Sequence, residues 1–90
     1  MLEVKYSTKF KKDLKTCQKR HCNMTLLQQV INVLAAPAVL PPKNKDHCLT
    51  GSYVPHRECR IQPDWLLIYE VDGNELILYL TRTGSHSDLF

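Results

Sequence analysis

The sequence lacks long apolar runs, internal repeats and low-complexity tracts, and it has only three glycines in 90 residues. No stretch approaches the roughly 20 apolar residues that span a membrane. The opening segment MLEVKYSTKFKK mixes apolar and charged side chains and contains no apolar signal segment, so we expect a cytoplasmic protein that does not bind membranes. With 43% hydrophobic and 23% charged residues, the composition indicates one folded domain over residues 1–90.

The four cysteines do not have the spacing of a zinc site. No C-x-x-C pair is present, and the nearest two, Cys17 and Cys22, are five positions apart. Without an export signal the thiols are expected to stay reduced and to act as small apolar residues, so we predict no metal. A minor alternative is a metal-binding protein that uses His21, Cys22, Cys48 and Cys59.

The net charge of +3 is distributed unevenly along the chain. Residues 1–22 carry seven basic and two acidic side chains, a net of +5, and residues 23–90 carry five basic and seven acidic, a net of −2. A basic block on one element favours a polyanionic partner, although a solvated helix face is an equally good explanation from charge alone.

The first half of the chain is predicted to form one strand and two helices. The LEVKY segment alternates as a strand does, and a helix can begin after Ser7 or Thr8. A second helix, capped by Asn23 or Thr25, ends at Pro37. The first helix carries an apolar stripe made of Phe10, Leu14, Cys17 and His21.

From residue 57 onward the apolar period becomes two. HRECRI, WLLIYEV and LILYLTR are strand candidates, and DGNE between the last two is a hairpin signal. The sequence therefore predicts an α+β fold in the order β-α-α-β-β-β, with one small antiparallel sheet and the two N-terminal helices packed on one face. Ser85 and Asp88 have capping-box spacing, which indicates a short C-terminal helical turn.

The last hairpin has two candidate registers. A turn centred on residues 73–74 places Trp65 opposite Arg82, and a turn centred on residues 72–73 places Pro63 opposite Arg82. Both registers bring Asp64, Trp65 and Arg82 to one end of the sheet.

That end of the sheet also receives Arg60, and Gly84 lets the segment with His86 bend back towards it. Two arginines can hold a phosphate, a histidine can transfer protons, a carboxylate can orient it, and an aromatic ring can stack on a base. These are the components for RNA cleavage without a metal. The alternatives are that Arg82 simply pairs with Asp64 and that Trp65 belongs to the core.

Three segments, KDHCLTG (residues 45–51), RECRIQPDWLLIY (57–69) and RTGSHSDLF (82–90), resemble the YafQ branch of the RelE superfamily of bacterial toxins. The resemblance implies a small antiparallel sheet with helices on one face. It also implies the toxin of a type II toxin–antitoxin pair, with a cognate antitoxin as protein partner and no small-molecule cofactor. Such toxins enter the ribosomal A site and cleave mRNA there.

The resemblance also implies roles for individual residues. His47, Asp64 and His86 are expected to carry the proton transfers, Arg82 to steady the phosphate, and Trp65 and Phe90 to shape the substrate pocket. The basic first helix is expected to face ribosomal RNA through Lys9, Lys11, Lys12, Lys15, Lys19 and Arg20.

One position departs from the family pattern, because YafQ-like sequences commonly have histidine where this chain has Arg60. Arginine stays protonated at physiological pH and cannot act as a general base, but it can grip a phosphate. If the family's histidine takes part in proton transfer, the chain is expected to bind RNA well and to cleave it slowly, either as an attenuated form or as a variant in which His47 and His86 take over its duties. The alternative is a catalytically weak module that binds RNA, the ribosome and an antitoxin without cleaving.

Overall fold

The structure, a computed structural model, describes residues 1–51 and 56–90. Its elements are β1 (Glu3–Tyr6), α1 (Thr8–Lys19), α2 (Met24–Ala35), a 3-10 turn (Pro42–Asn44), β2 (His47–Cys48), β3 (Arg57–Gln62), β4 (Trp65–Asp72), β5 (Ile77–Gly84) and α3 (His86–Leu89). The α+β class and the predicted order are confirmed, with β2 as an additional strand. Two residues are too few to show a period, so the sequence pattern could not reveal β2.

Both long helices begin at capping residues that the sequence had narrowed to two candidates each. The Ser7 hydroxyl accepts the N–H of Phe10 at 2.9 Å, and the Asn23 side chain accepts the N–H of Thr25 at 3.1 Å. α1 ends before His21, which adopts a left-handed conformation with φ of 60°. His21 therefore lies beyond the apolar stripe to which the sequence pattern assigned it.

The five strands form one sheet in the order β1-β5-β4-β3-β2. The pairs β2–β3, β3–β4 and β4–β5 are antiparallel, as predicted, but β1 runs parallel to β5, so the sheet is mixed. Two helices and three strands separate β1 from β5, and a connection of that length permits either direction. Alternation within β1 shows which residues face the core and carries no information about strand direction.

The β4–β5 hairpin has a longer loop than either predicted register assumed. Asp72 pairs with Ile77, which leaves four residues in the loop. The Asp72 carboxylate accepts the N–H groups of Asn74 at 2.9 Å and Glu75 at 3.1 Å and thereby closes the turn through its side chain.

A bulge displaces this hairpin further. The pairing shifts by one residue between Ile68 and the next position of β4, where Thr81 is the unpaired residue of β5. Arg82 lies opposite Ile68, and both predicted partners, Trp65 and Pro63, are wrong. The sequence could not show the bulge, because apolar and polar residues still alternate approximately around it.

The core occupies both faces of the sheet. The larger cluster combines apolar residues of α1 and α2 with one face of β3, β4 and β5, including Phe10, Leu27, Cys59, Leu67 and Leu78. The helices therefore pack on one face, as predicted. A smaller cluster of Leu66, Ile68 and Leu89 lies on the other face, under α3. In the described ranges, none of the helices has the length and apolarity to cross a membrane.

Candidate active site

The short helix α3 lies on the sheet face opposite α1 and α2. Its Leu89 packs on Leu66 and Ile68 of β4. The Ser85 hydroxyl accepts the N–H of Asp88 at 3.2 Å, and the Asp88 carboxylate accepts the N–H of Ser85 at 3.0 Å. The predicted capping box is therefore formed, and residues 85–90 are an ordered wall beside the sheet.

Polar residues line one row across this second face. The strand pairings align His47, Glu58, Ile68 and Arg82 across β2, β3, β4 and β5. Residues directly opposite each other share a face, and a strand spacing of about 4.7–4.9 Å places the backbones of His47 and Arg82 about 14 Å apart. Arg60 follows Glu58 by two positions in β3 and so lies on the same face.

His86 and Asp64 are in direct contact, as the sequence predicted. Oδ1 of Asp64 lies 3.3 Å from the backbone N of His86 and 3.3 Å from its Nδ1. The carboxylate therefore favours the proton on Nδ1 and leaves Nε2 as the ring nitrogen that can exchange protons with a substrate. Both side chains are more than half exposed, so an approaching nucleotide can reach them.

Arg82 is held by an acid that the sequence reasoning missed. Asp13 accepts from Nε of Arg82 at 2.7 Å and from Nη2 at 3.1 Å, and it also accepts the N–H of Thr83 at 3.1 Å. Asp64, the partner considered from sequence, was the wrong carboxylate for this pair. The available signal was that Asp13 is the single acidic residue of an otherwise basic α1.

A hydrogen bond holds the backbone of Arg60, and its side chain has one buried N–H without a partner among the described residues. Asn44, which is buried, donates its side-chain N–H to the carbonyl of Arg60 at 2.6 Å. Nε of Arg60 is buried and has no hydrogen-bond partner among the described residues. Because this nitrogen is shielded from solvent, it does not itself reach a ligand.

His47 lies at the other end of the polar row and is oriented by two groups. Its Nδ1 is 2.7 Å from the carbonyl of Lys45, so Nδ1–H donates, and its Nε2 is 3.8 Å from Oε1 of Glu58. No hydrogen bond joins His47 to His86 or Asp64 within the described residues. The described residues therefore do not join the two histidines in one hydrogen-bonded cluster.

The two aromatic residues have different surroundings. Trp65 is 5% exposed, belongs to the larger core cluster, and donates its indole N–H to Thr83 at 2.9 Å. Its small exposed edge forms part of the lining of a cleft of about 490 Å³ beside Asp64. Phe90 is 61% exposed, and its ring centroid is 6.3 Å from that of His86. Of the two rings, Phe90 is therefore the one that is open to solvent.

The basic face of α1 is solvent exposed. Its cations are Lys9, Lys11, Lys12, Lys15 and Lys19. Arg20 has an additional contact, because its guanidinium binds the Asp88 carboxylate at 2.6 Å and 3.2 Å. This hydrogen bond holds the pKa of Asp88 well below its usual range. Arg20 therefore connects α1 to α3, a role that the charge pattern did not reveal.

The arrangement can move protons and hold phosphate. An imidazole oriented by a carboxylate can accept or donate a proton at Nε2, and guanidinium groups match phosphate oxygens. Arg82 is oriented by Asp13, and Arg60 has an unpaired donor. The second face therefore combines proton carriers at both ends with cations beside them.

Comparison with protein families decides the class of protein. Residues 2–90 match the profile described as "Bacterial toxin of type II toxin-antitoxin system, YafQ". The chain belongs to the YafQ toxin family. The mRNA interferase toxin YafQ of Escherichia coli strain K12 is 38% identical over 89 residues, which are 98% of this chain and 95% of that protein.

Solved structures of YafQ-like toxins share the whole fold. A metal-bound toxin from Helicobacter pylori is 46% identical with a TM-score of 0.94, and the match covers 100% of both chains. The toxin in the E. coli DinJ–YafQ complex is 37% identical with a TM-score of 0.90, over 100% of this chain and 99% of that one. Because the match to the toxin of the DinJ–YafQ complex covers nearly the whole of both chains, it includes the candidate active site as well as the core.

Within residues 1–51 and 56–90 no group of three His, Cys, Asp or Glu side chains is placed to hold an ion. The minor alternative based on His21, Cys22, Cys48 and Cys59 has no support, and Cys59 is buried in the core. Arginine at position 60 also removes a possible nitrogen ligand, because a guanidinium offers no acceptor.

Proposed function

We propose that this YafQ-family toxin is an mRNA interferase that cleaves message in the ribosomal A site. The observation that carries the proposal is the contact between His86 and Asp64, beside a sheet face that also holds Arg60 and Arg82. An oriented proton carrier next to phosphate-binding cations is what cleavage of RNA by its own 2′-hydroxyl requires. The E. coli relative named as an mRNA interferase supports the same reaction class.

The proposed reaction begins with removal of the 2′-hydroxyl proton by one imidazole. O2′ then attacks the adjacent phosphorus and the bond from phosphorus to O5′ breaks. O5′ takes a proton from the second imidazole. The products are a 2′,3′-cyclic phosphate and a 5′-hydroxyl. In this proposal His86 and His47 share the roles of base and acid in the displacement.

Arg82 stabilises the negative charge on the reacting phosphate during this attack. Arg82 is positioned by two hydrogen bonds to Asp13 and needs little reorganisation to bind an oxygen. Phe90 supplies an exposed ring next to His86, on which the base of the reacting nucleotide can stack. Trp65 forms part of the supporting wall.

The exposed lysines of α1 supply the ribosome contact in this proposal. They carry no base-specific geometry, and phosphate contacts of this kind add salt-dependent affinity. The partner in the cell is a cognate antitoxin, as the DinJ–YafQ complex of E. coli illustrates for a relative.

Arg60 favours a second candidate, a binding module with weak or no cleavage. The guanidinium cannot take the proton that a histidine at this position could take. In that case the toxin binds the ribosome and its antitoxin and leaves the message intact.

The deciding experiment is a purified translation reaction in which ribosome-bound mRNA is mapped by primer extension. Wild-type protein, Arg60→His and His86→Ala are compared at equal concentration. We expect cleavage by wild type, faster cleavage by Arg60→His, and none by His86→Ala. Intact message with wild type and cleavage with Arg60→His supports the binding module. Intact message with both proteins contradicts the interferase proposal.

A further inference from the structure

A second, strongly basic cleft lies beside the candidate active site. It has a volume of about 390 Å³ and is lined by three cations, Lys43, Lys45 and Arg60. The remaining lining residues are Asn44, Ile61, Gln62 and Pro63. No carboxylate lines the cleft, so the positive potential inside it is not neutralised by its own walls.

The local fold holds the two lysines next to Arg60. Asn44 is 5% exposed and donates to the carbonyl of Arg60 at 2.6 Å, which fastens the 3-10 turn to β3. The flanking Lys43 and Lys45 are thereby fixed on the rim. Lys45 adopts a left-handed conformation with φ of 48°, a strained backbone that a non-glycine residue keeps only where its surroundings hold it.

The cations of the cleft have no protein counter-ion. Among the described residues, none of Lys43, Lys45 and Arg60 takes part in an ion pair, and Nε of Arg60 is buried without an acceptor. The charge of these three cations is therefore left for a ligand to balance. Arg57, Arg20 and Arg82, by contrast, each bind a carboxylate.

The basic cleft adjoins the cleft at Asp64. Gln62 and Pro63 line both of them and form the ridge between the two. Lys45 also provides the carbonyl that lies 2.7 Å from Nδ1 of His47. The basic cleft is therefore a neighbour of the candidate active site.

We propose that Lys43, Lys45 and Arg60 form a subsite for a backbone phosphate of RNA that neighbours the scissile phosphate. The proposal rests on the proposed function, since it takes the reacting linkage to lie at His86 and Asp64. A guanidinium and two ammonium groups around one cavity suit phosphate oxygens. An acidic protein segment is the other possible anion, but the shared ridge with Asp64 favours the RNA strand.

The test measures what one additional phosphate contributes to binding. The probes are a 2′-O-methyl adenosine dinucleotide and the same dinucleotide carrying a 5′- or a 3′-phosphate, and the 2′-O-methyl group blocks the attacking hydroxyl. For wild-type protein we expect one of the two phosphates to tighten binding about tenfold, as charge-assisted hydrogen bonds do. In the variant Lys43→Gln/Lys45→Gln this gain falls below about twofold.

Lys5→Gln is the matched control, because Lys5 lies in β1 at the opposite edge of the sheet. This control variant is expected to keep the full gain in affinity from the added phosphate. Salt titrations give a second measurement, in which the slope of log affinity against log salt concentration falls by about 0.7 for each removed lysine that contacts a phosphate. Unfolding midpoints of all variants are compared with wild type to exclude loss of the fold.

An equal gain in wild type and in the double variant overturns the proposal. So does binding of a hexaglutamate peptide that the double variant loses while the phosphate gain persists, because the cleft then serves an acidic protein segment. Absence of message cleavage on ribosomes, together with a phosphate gain that the double variant abolishes, refutes the proposed function and leaves the subsite standing.

Discussion

The carboxylate of Asp13 in α1 holds the guanidinium of Arg82 in β5 through two hydrogen bonds and also accepts the backbone N–H of Thr83. A single acid thus connects the helical layer to the strand that carries Arg82. The Arg82 side chain is 22% exposed and the Asp13 side chain is 15% exposed. Because both are largely buried, the contact contributes to stability as well as to orientation.

Replacing Asp13 should destabilise the fold. We expect Asp13→Ala to lower the free energy of unfolding by about 2 kcal/mol, because hydrogen bonds to charged groups contribute about 1.5–3 kcal/mol and Arg82 would lose a partner. Urea unfolding measures the change, and Glu3→Ala on the exposed edge strand is the control. Equal stability of the two variants would show that the pair is unimportant for the fold.

Arg82 should matter more for cleavage than any single lysine of α1. Arg82→Ala removes an oriented guanidinium, whereas each lysine supplies one non-specific phosphate contact. We expect a loss of about 100-fold for Arg82→Ala and less than about threefold for Lys12→Ala in ribosome-dependent cleavage. Because Arg82→Ala also leaves Asp13 without its partner, Asp13→Ala/Arg82→Ala is tested alongside. Full activity of that double variant would mean that Arg82 is structural.

The contact between Asp64 and His86 should be functional and not structural. Both side chains are exposed, so Asp64→Ala is expected to leave the unfolding midpoint unchanged while it lowers the cleavage rate about tenfold. His86→Ala is expected to lower the rate at least 100-fold, the usual contribution of a positioned acid or base. A rate for His86→Ala equal to that of wild type would remove His86 from the reaction.

Acid should loosen α3. The hydrogen bond from Arg20 holds the pKa of Asp88 below its ordinary value. A depressed carboxyl pKa contributes stability that is present above the unfolded pKa of about 4 and is lost as pH falls below it. We expect the amide protection factors of residues 86–90, which compare observed exchange with intrinsic exchange at the same pH, to fall between about pH 4 and pH 2, ahead of global unfolding. Asp88→Asn should have low protection factors throughout this range.

The thiols should differ in reactivity. Burial raises the pKa of Cys17 to about 11 and that of Cys59 to about 12, so neither is a thiolate at neutral pH. Cys48 is exposed, and Cys22 is partly exposed. We expect iodoacetamide to modify Cys48 first and Cys22 more slowly in native protein, and the other two only after unfolding. Intact mass and peptide mapping report the order, and early modification of Cys59 would contradict this core.

The sequence was informative wherever the determinant is local. The caps at Ser7 and Asn23 and the capping box at Ser85 depend on residues two to three positions apart, and all three formed. The contact of His86 with Asp64 followed from the hairpin and from the bend at Gly84. The family resemblance supplied the candidate roles.

The predictions that were wrong concern contacts and strand pairings that are set by residues far apart in the chain. The partner of Arg82 comes from α1, 69 positions away, and no local pattern reports such a contact. The register of the β4–β5 hairpin depended on the Asp72 side chain, which closes a loop of four residues, and on a bulge at Thr81. The parallel direction of β1 depends on the sheet edge that it finds, and not on its own alternation.

That parallel pairing joins two segments of one sheet edge that lie far apart in the chain, since Glu3 pairs with Ile77. β1 is therefore synthesised well before the strand formed by residues 77–84, which is its hydrogen-bonding neighbour. Contacts between segments so distant in the chain form late in folding. A nascent chain can complete this sheet edge, and can bring Arg82 to Asp13, only after residues 77–84 have been made.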